Sequence, residues 1–119
     1  FEVWGSGVAM REFLHSDDLA NAAIFLLNLP EASFHQLLHC PISGPVVNIG
    51  YGKDLTIRDL VTLLCDIVQY QGEVQWDTSK PDGTLRKLLN TEKINATGWQ
   101  PSLNFADELK KIYRDKFLK

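Results

Sequence analysis

"VWGSGVAMREFLHSDDLANA", residues 3–22, is the stretch that decides the fold. With Phe1 and Glu2, its first residues read as a short strand over 1–4. The glycine-containing loop Gly5–Ala9 follows, and residues 10–15 form a second extended segment. Ser16 then serves as an N-cap, and Asp17 and Asp18 put negative charge where the helix dipole favours it. The helix runs to about Asn28 and stops before Pro30. It is apolar almost all round from Ala22 to Leu27, which predicts that it is well buried.

Outward from this unit, residues 30–44 carry Pro30, Pro41, Gly44 and two histidines and read as an irregular loop. Val46–Ile49 reads as a strand entering Gly50-Tyr51-Gly52. The next helix has the clearest boundary: Thr56 and Asp59 have capping-box spacing, and Leu55 and Leu60 are placed as a hydrophobic staple. Ile57, Leu60, Val61, Leu64, Cys65 and Val68 then recur at helical spacing. Residues 73–77 read as a strand and 91–96 as a short helix ending at Gly98, with Trp99 as a packing anchor. A last helix over 103–117 carries Leu109, Ile112 and Tyr113 on its apolar side and an Asp107–Lys111 pair at i, i+4. Strands and helices alternate and helices outweigh strands, so the expectation is a single α/β unit over 1–119. It should hold few short strands, three to four helices and an incomplete sheet.

Composition narrows the function classes. The chain has 119 residues, 45% hydrophobic and 23% charged, ordinary for a globular protein and unlike a disordered one. If compact, it would bury roughly two thirds of its unfolded surface. A net charge of −3 argues against a nucleic-acid or anionic-membrane surface. The apolar run Ala22–Leu27 is too short to cross a bilayer. Without a recognisable signal peptide the expected location is cytoplasmic. Cys65 falls on an apolar helix face as a small hydrophobe. Cys40 falls in a loop compatible with either a disulfide or a catalytic thiol. Phe1–Trp4 reads as the middle of a strand without an initiator methionine, so the chain is expected to be part of something longer.

Few residues offer chemistry. Gly50-Tyr51-Gly52 lacks the third glycine of a dinucleotide fingerprint and reads as a tight turn. His15, His35 and His39 do not make a metal set, because a helix joining the last two is doubtful beside Pro41 and no third ligand accompanies them. No metal site and no catalytic residue is therefore assigned. Trp4 is large enough to cover a base or sugar ring, or simply to pack. Arg11, on one face with Phe13 and His15, suits either a phosphate clamp or a surface ion pair. In "WDTSKPDGTLRK", residues 76–87, Pro81 and Gly83 fit a type I turn with Asp82 at its tip. Lys80, Arg86 and Lys87 lie nearby in sequence. A carboxylate there could receive two donors from a ribose diol or a guanine edge, or the stretch could be a solvated turn.

Taken together, "VWGSGVAMREFLHSDDLANA", "VVNIGYGKDLTIRDLV" at 46–61 and "GEVQWDTSKPDGTLRKLLN" at 72–90 closely resemble the C-terminal part of the bacterial GDP-L-fucose synthases. These are extended short-chain dehydrogenase/reductases that epimerise and reduce GDP-4-keto-6-deoxymannose with NADPH. The REFLHSDDLA stretch is generic to extended sugar-nucleotide enzymes, whereas the SKPDGT stretch is more specific. The resemblance implies a substrate-binding portion of an incomplete Rossmann architecture, with Trp4, Arg11, Asp82 and Lys87 contacting a GDP-sugar and Arg11 facing the diphosphate. It also implies NADPH as cofactor of the full-length enzyme, none bound by this portion, and a homodimer at full length. The glycine-rich cofactor motif and the Tyr-xxx-Lys pair of these enzymes do not occur in the sequence, so the portion alone should be inactive. Another extended nucleotide-sugar epimerase or reductase, or a non-catalytic binding module, are the alternatives. Three positions depart from the family pattern: Asn90 replaces an aspartate, Gln69 a helix-ending glycine, and Ser16 a common valine.

Overall fold

A computed structural model describes residues 1–39, 41 and 44–118. Cys40 therefore lies outside the described residues. Ten elements follow in the order β1 (Glu2–Trp4), β2 (Met10–Glu12), α1 (Ser16–Leu27), α2 (Glu31–Leu38), β3 (Asp54–Thr56), α3 (Ile57–Val68), β4 (Gln75–Asp77), β5 (Arg86–Lys87), α4 (Glu92–Asn95) and α5 (Phe105–Phe117). The alternating α/β order and the short strands match the expected class. The strands make two small sheets. β1 pairs with β4 in parallel, with Trp4 opposite Asp77. β2 is the centre of a three-stranded sheet, antiparallel to β3 and parallel to β5, so Arg11 faces Leu55 on one side and Lys87 on the other.

Helix boundaries follow local chemistry. Thr56 and Asp59 close a reciprocal capping box at the start of α3: the Asp59 N–H donates to Thr56 Oγ1 at 3.0 Å, and the Thr56 N–H donates back to Asp59 Oδ2 at 3.4 Å. At the other end Gln69 sits in the left-handed region with φ 55° and ψ 43°, where glycine would be at ease. The cap of α1 lies one residue earlier than expected. His15 is the N-cap, and its Nδ1 accepts the Asp17 N–H at 3.1 Å, which leaves Ser16 as the first helical residue.

Four further expectations need correction. Residues 31–38 form α2, making five helices among the described residues instead of three or four. Pro41 does not prevent this helix because it ends before the proline. Residues 46–49 are not a strand; no ladder forms there, and Asn48 instead donates its side-chain amide to the Asn90 carbonyl at 3.2 Å. The Asp107–Lys111 pair is replaced by Asp107–Lys110 at 3.9 Å and Glu108–Lys111 at 3.5 Å, both at i, i+3. Finally, α1 is not well buried. Only Asp18 and Ala22 are fully covered, while Ile24 is 59% and Leu27 84% exposed. One stripe of α1 meets protein, and the rest of its apolar surface is exposed among the described residues.

The buried core is correspondingly small. Ala22, Ile94 and Trp99 form its centre, with Phe25, Leu26, Val47 and Ile49 against it; Trp99 is the anchor its position suggested. Phe13 stacks on Phe105 at 5.4 Å and ties β2 to α5. The described chain forms a slab with extents of 55 × 37 × 15 Å and a radius of gyration of 17.9 Å, against about 13–14 Å for an evenly compact chain of this length. Its accessible surface of 8300 Å² likewise exceeds the roughly 6500 Å² of a compact monomer of this mass.

Candidate functional site

The Gly5-Ser6-Gly7 turn organises the polar face. Gly5 and Gly7 have φ of 82° and 79°, values that disfavour side chains. Both are also crowded: a Cβ on Gly5 would lie 2.5 Å from Asp82 Oδ1, and one on Gly7 within 2.4 Å of the Trp76 ring. Gly5 donates its N–H to the Asp77 carbonyl at 2.9 Å, which extends the β1–β4 pairing into the turn. Asp82 accepts twice from Ser6, at Oδ1 from the N–H (2.6 Å) and at Oδ2 from the hydroxyl (2.8 Å). Arg58 holds the far side of the turn. Its N–H donates to the Gly7 carbonyl at 3.0 Å, and its Nη2 donates to the Ser6 carbonyl at 2.6 Å. Its guanidinium stacks 4.2 Å from the centre of the Trp76 ring.

These contacts settle where the predicted residues stand. Trp4 is 69% exposed among the described residues; its Nε1 donates to Glu2 and the Lys80 ammonium lies 5.5 Å from its ring. Arg11 donates from Nη1 to the carbonyls of Met10 and Thr84, both at 2.7 Å, and makes no ion pair among the described residues. Arg11 and Lys87, partners in the β2–β5 register, share an open groove of about 490 Å³ with Glu12, Leu88 and Leu89. Through Thr84 and Gly5, respectively, Arg11 and Trp4 are tied to the segment carrying Asp82. Arg11, however, no longer shares a face with Phe13 and His15. β2 ends at Glu12, and those two residues line a separate, largely apolar hollow of about 290 Å³ with Tyr51 and α5.

The loop after β4 differs from its expected form. The hydrogen-bonded turn spans Asp77–Lys80, with the Lys80 N–H on the Asp77 carbonyl at 3.2 Å and Asp77 Oδ1 accepting from Ser79. An aspartate at the first turn position and a serine two residues on outcompete the Pro81–Gly83 alternative, so Asp82 lies beyond the turn and folds back onto Ser6. Nor do three cations surround it. Arg86 forms a two-pronged pair with Asp54, at 2.5 and 3.1 Å, and Lys80 lies over Trp4. The Asp82 carboxyl is still held below the ordinary carboxylate value. The cause is the Ser6 hydroxyl first and the Ser6 N–H second, with a smaller pull from the Gly7 N–H and some opposition from burial. Asp54 is lowered chiefly by its hydrogen bond to Arg86. Its side chain is only 7% exposed, and burial opposes that lowering.

Two other carboxylates have structural work. Asp18, 1% exposed, accepts from the N–H and hydroxyl of Ser102 and from the Leu103 N–H at 3.0–3.2 Å. It is thus more than a first-turn charge: it fastens α1 to the segment before α5. Glu12 accepts from the Gly52 N–H at 2.7 Å and the Leu89 N–H at 3.1 Å, and a Cβ on Gly50 would lie 2.5 Å from its carboxylate. Both glycine turns thus give N–H groups to carboxylates of this chain and present no cradle for a dinucleotide pyrophosphate. His35 and His39 do share a helical face, with rings 5.9 Å apart, yet no cluster of three or more potential metal ligands occurs among the described residues. No described helix is long and apolar enough to cross a membrane. Sequence reading missed Ser6 and Arg58. The glycines flanking Ser6 were the available signal, but nothing local links them to Asp82, 76 residues away.

Comparison with known proteins follows the same lines. Residues 1–50 match the NAD dependent epimerase/dehydratase family. A GDP-L-fucose synthase of Arabidopsis thaliana is 43% identical over 117 residues, 98% of this chain and 32% of that protein. The GDP-L-fucose synthase of Escherichia coli K12 is 40% identical over 112 residues, 94% of this chain and 34% of that protein. Among solved structures, a GDP-mannoheptose C4 reductase from Campylobacter jejuni with NADP bound superposes with a TM-score of 0.77 at 32% identity, covering 95% of this chain and 33% of that one. The chain spans about one third of the length of the curated relatives it matches. These matches make the chain similar to the NAD dependent epimerase/dehydratase family over residues 1–50 and to the GDP-L-fucose synthases over nearly all its length.

Proposed function

We propose that this chain is the C-terminal, GDP-sugar-binding portion of an NADPH-dependent epimerase/reductase that converts GDP-4-keto-6-deoxymannose to GDP-L-fucose. The reading rests on the likeness to the GDP-L-fucose synthases, and one structural observation carries it. An ionised, pre-oriented Asp82 carboxylate is hydrogen-bonded to the turn that directly follows the largely exposed Trp4. Two residues from Asp82, Thr84 tethers the Arg11 guanidinium, which lines a groove with Lys87. A carboxylate has about four acceptor sites, so two remain after Ser6 for adjacent donors on a nucleoside. Trp4 offers a face for a ring, and Arg11 and Lys87 offer positive charge to a diphosphate.

NADPH would supply hydride in such an enzyme, but the residues present do not fit the cofactor, because each glycine turn is occupied by Asp82 or Glu12. The role of this portion is therefore to bind and orient substrate, not to transfer hydride. Titration of the chain with GDP, UDP and NADPH, followed by tryptophan fluorescence, tests the proposal. Saturable quenching by GDP, weaker quenching by UDP and no NADPH oxidation with a keto-sugar nucleotide are expected. An equal response to GDP and UDP would favour a different nucleotide-sugar enzyme, and no response to either would remove the binding role.

A further inference from the structure

We infer that Ser6 and Arg58 are positioning residues for nucleotide recognition: they fix the Asp82 carboxylate beside Trp4 without touching the ligand themselves. This inference rests on the GDP-sugar reading above. Ser6 makes a closed set of contacts. Its hydroxyl donates to Asp82 Oδ2 and accepts the Val8 N–H at 3.4 Å, which gives the hydroxyl a defined direction. Its own N–H holds Asp82 Oδ1. Each carboxylate oxygen thus spends one acceptor site on the turn and keeps another. Two free acceptors at fixed spacing match two adjacent O–H or N–H donors, as on a vicinal diol or a purine edge.

Arg58 supplies the opposing force. It grips the Ser6 and Gly7 carbonyls while its guanidinium rests on Trp76, so the turn is held from the α3 side as Asp82 holds it from the other. The close approach of Asp82 to Gly5 leaves no slack between the carboxylate and the backbone following Trp4. Arg11 and Lys87 meet this arrangement only through the backbone at Thr84 and make no contact with Ser6 or the Asp82 carboxylate. Their groove is shaped by β2 and β5, and Arg11 is tethered to backbone carbonyls and not to Ser6.

The separation gives the test. The dissociation constants of GDP and of inorganic pyrophosphate are measured on the 119-residue chain and its variants. Pyrophosphate engages only the cationic groove, whereas GDP also needs Asp82. Ser6→Ala removes one charged hydrogen bond to Asp82 and is expected to weaken GDP binding about ten-fold while leaving pyrophosphate unchanged. Ser6→Thr, which keeps the hydroxyl, should restore GDP affinity. Arg58→Gln should give the same selective loss from the opposite side of the turn, so the inference does not depend on one variant folding. Unchanged GDP binding in Ser6→Ala and Arg58→Gln, or equal loss of GDP and pyrophosphate, would overturn the positioning role and leave the proposed function standing. A wild-type chain with no affinity for GDP would overturn the proposed function and this inference with it.

Discussion

Asp17 and Asp18 look interchangeable in the sequence, and replacing each by alanine separates two accounts of them. If both only complement the α1 dipole, either substitution costs about 0.3–1 kcal/mol. The structure makes them unequal. Asp17 is 72% exposed on its side chain, and that small figure stands. Asp18 is buried and receives two backbone N–H groups and a hydroxyl. A hydrogen bond to a charged group contributes about 1.5–3 kcal/mol, and a buried donor left unpaired costs about 1–3 kcal/mol. Ser102 is exposed enough for water to replace its share, whereas the Leu103 N–H is half-buried. One to two such interactions are therefore lost outright, and Asp18→Ala should destabilise by about 2–4 kcal/mol, a large part of the 5–15 kcal/mol typical of a folded domain. Urea unfolding followed by circular dichroism measures this directly. With a slope of about 1–2 kcal/mol/M, the Asp18→Ala midpoint should fall by roughly 1–4 M and that of Asp17→Ala by at most about 1 M. Equal shifts, or a loss below about 1 kcal/mol for Asp18→Ala, would refute the fastening role.

Gln69→Gly should stabilise the chain by about 0.5–1 kcal/mol, because relief of a left-handed side-chain clash outweighs the added chain entropy of glycine; the same urea titration reads it. Gly7→Ala should displace Trp76 and release Arg58, shifting tryptophan emission towards the red, and an unchanged spectrum would mean the turn adapts. Asp54 and Asp82 both titrate below the ordinary carboxylate value. Their contribution is thus fully present above that value and lost as pH falls through the lowered folded values, so stability should drop on the acid side below about pH 4. Arg86→Ala should return Asp54 towards its ordinary value, observable by carboxyl NMR titration, without moving Asp82. Under the proposed function, Arg11→Lys keeps the charge but loses the planar fork that reaches Thr84, and should weaken GDP-sugar binding despite charge conservation.

What could be read from the sequence was what neighbours in the chain decide. The Thr56–Asp59 box, the end of α1 before Pro30 and the anchoring of Trp99 after Gly98 all depend on residues a few positions apart. The family likeness identified Trp4, Arg11, Asp82 and Lys87 as site candidates; in the structure Asp82 bonds to the turn after Trp4, and Arg11 and Lys87 are register partners in β2 and β5. Reading failed where distant partners decide. Val46–Ile49 has strand-forming residues but no ladder to join. α1 has a core-like composition but only one covered stripe. Asp82 was given cationic neighbours from its local sequence, yet its actual partner is Ser6. Helix α2 is hard to read for a different reason: Pro41 argues against a helix around it, yet Glu31–Leu38 is helix-compatible and ends before it.

The Ser6–Asp82, Arg11–Thr84 and Glu12–Leu89 links span 76, 73 and 77 residues of chain. Such near-equal spans make their formation collective. The first to close bears the entropy of a loop of that length, roughly 4 kcal/mol before constant terms. The others then need only short additional closures. β1 must also wait for β4 during synthesis, and the β5 side of β2 for β5, about 4–15 s at ordinary elongation rates, whereas β3 reaches β2 earlier. Helix α1, built from local contacts, is free to form well before the polar face it supports. That face should therefore assemble late and in one step, with β1 open until β4 arrives and β2 paired on its β3 side only until β5 follows.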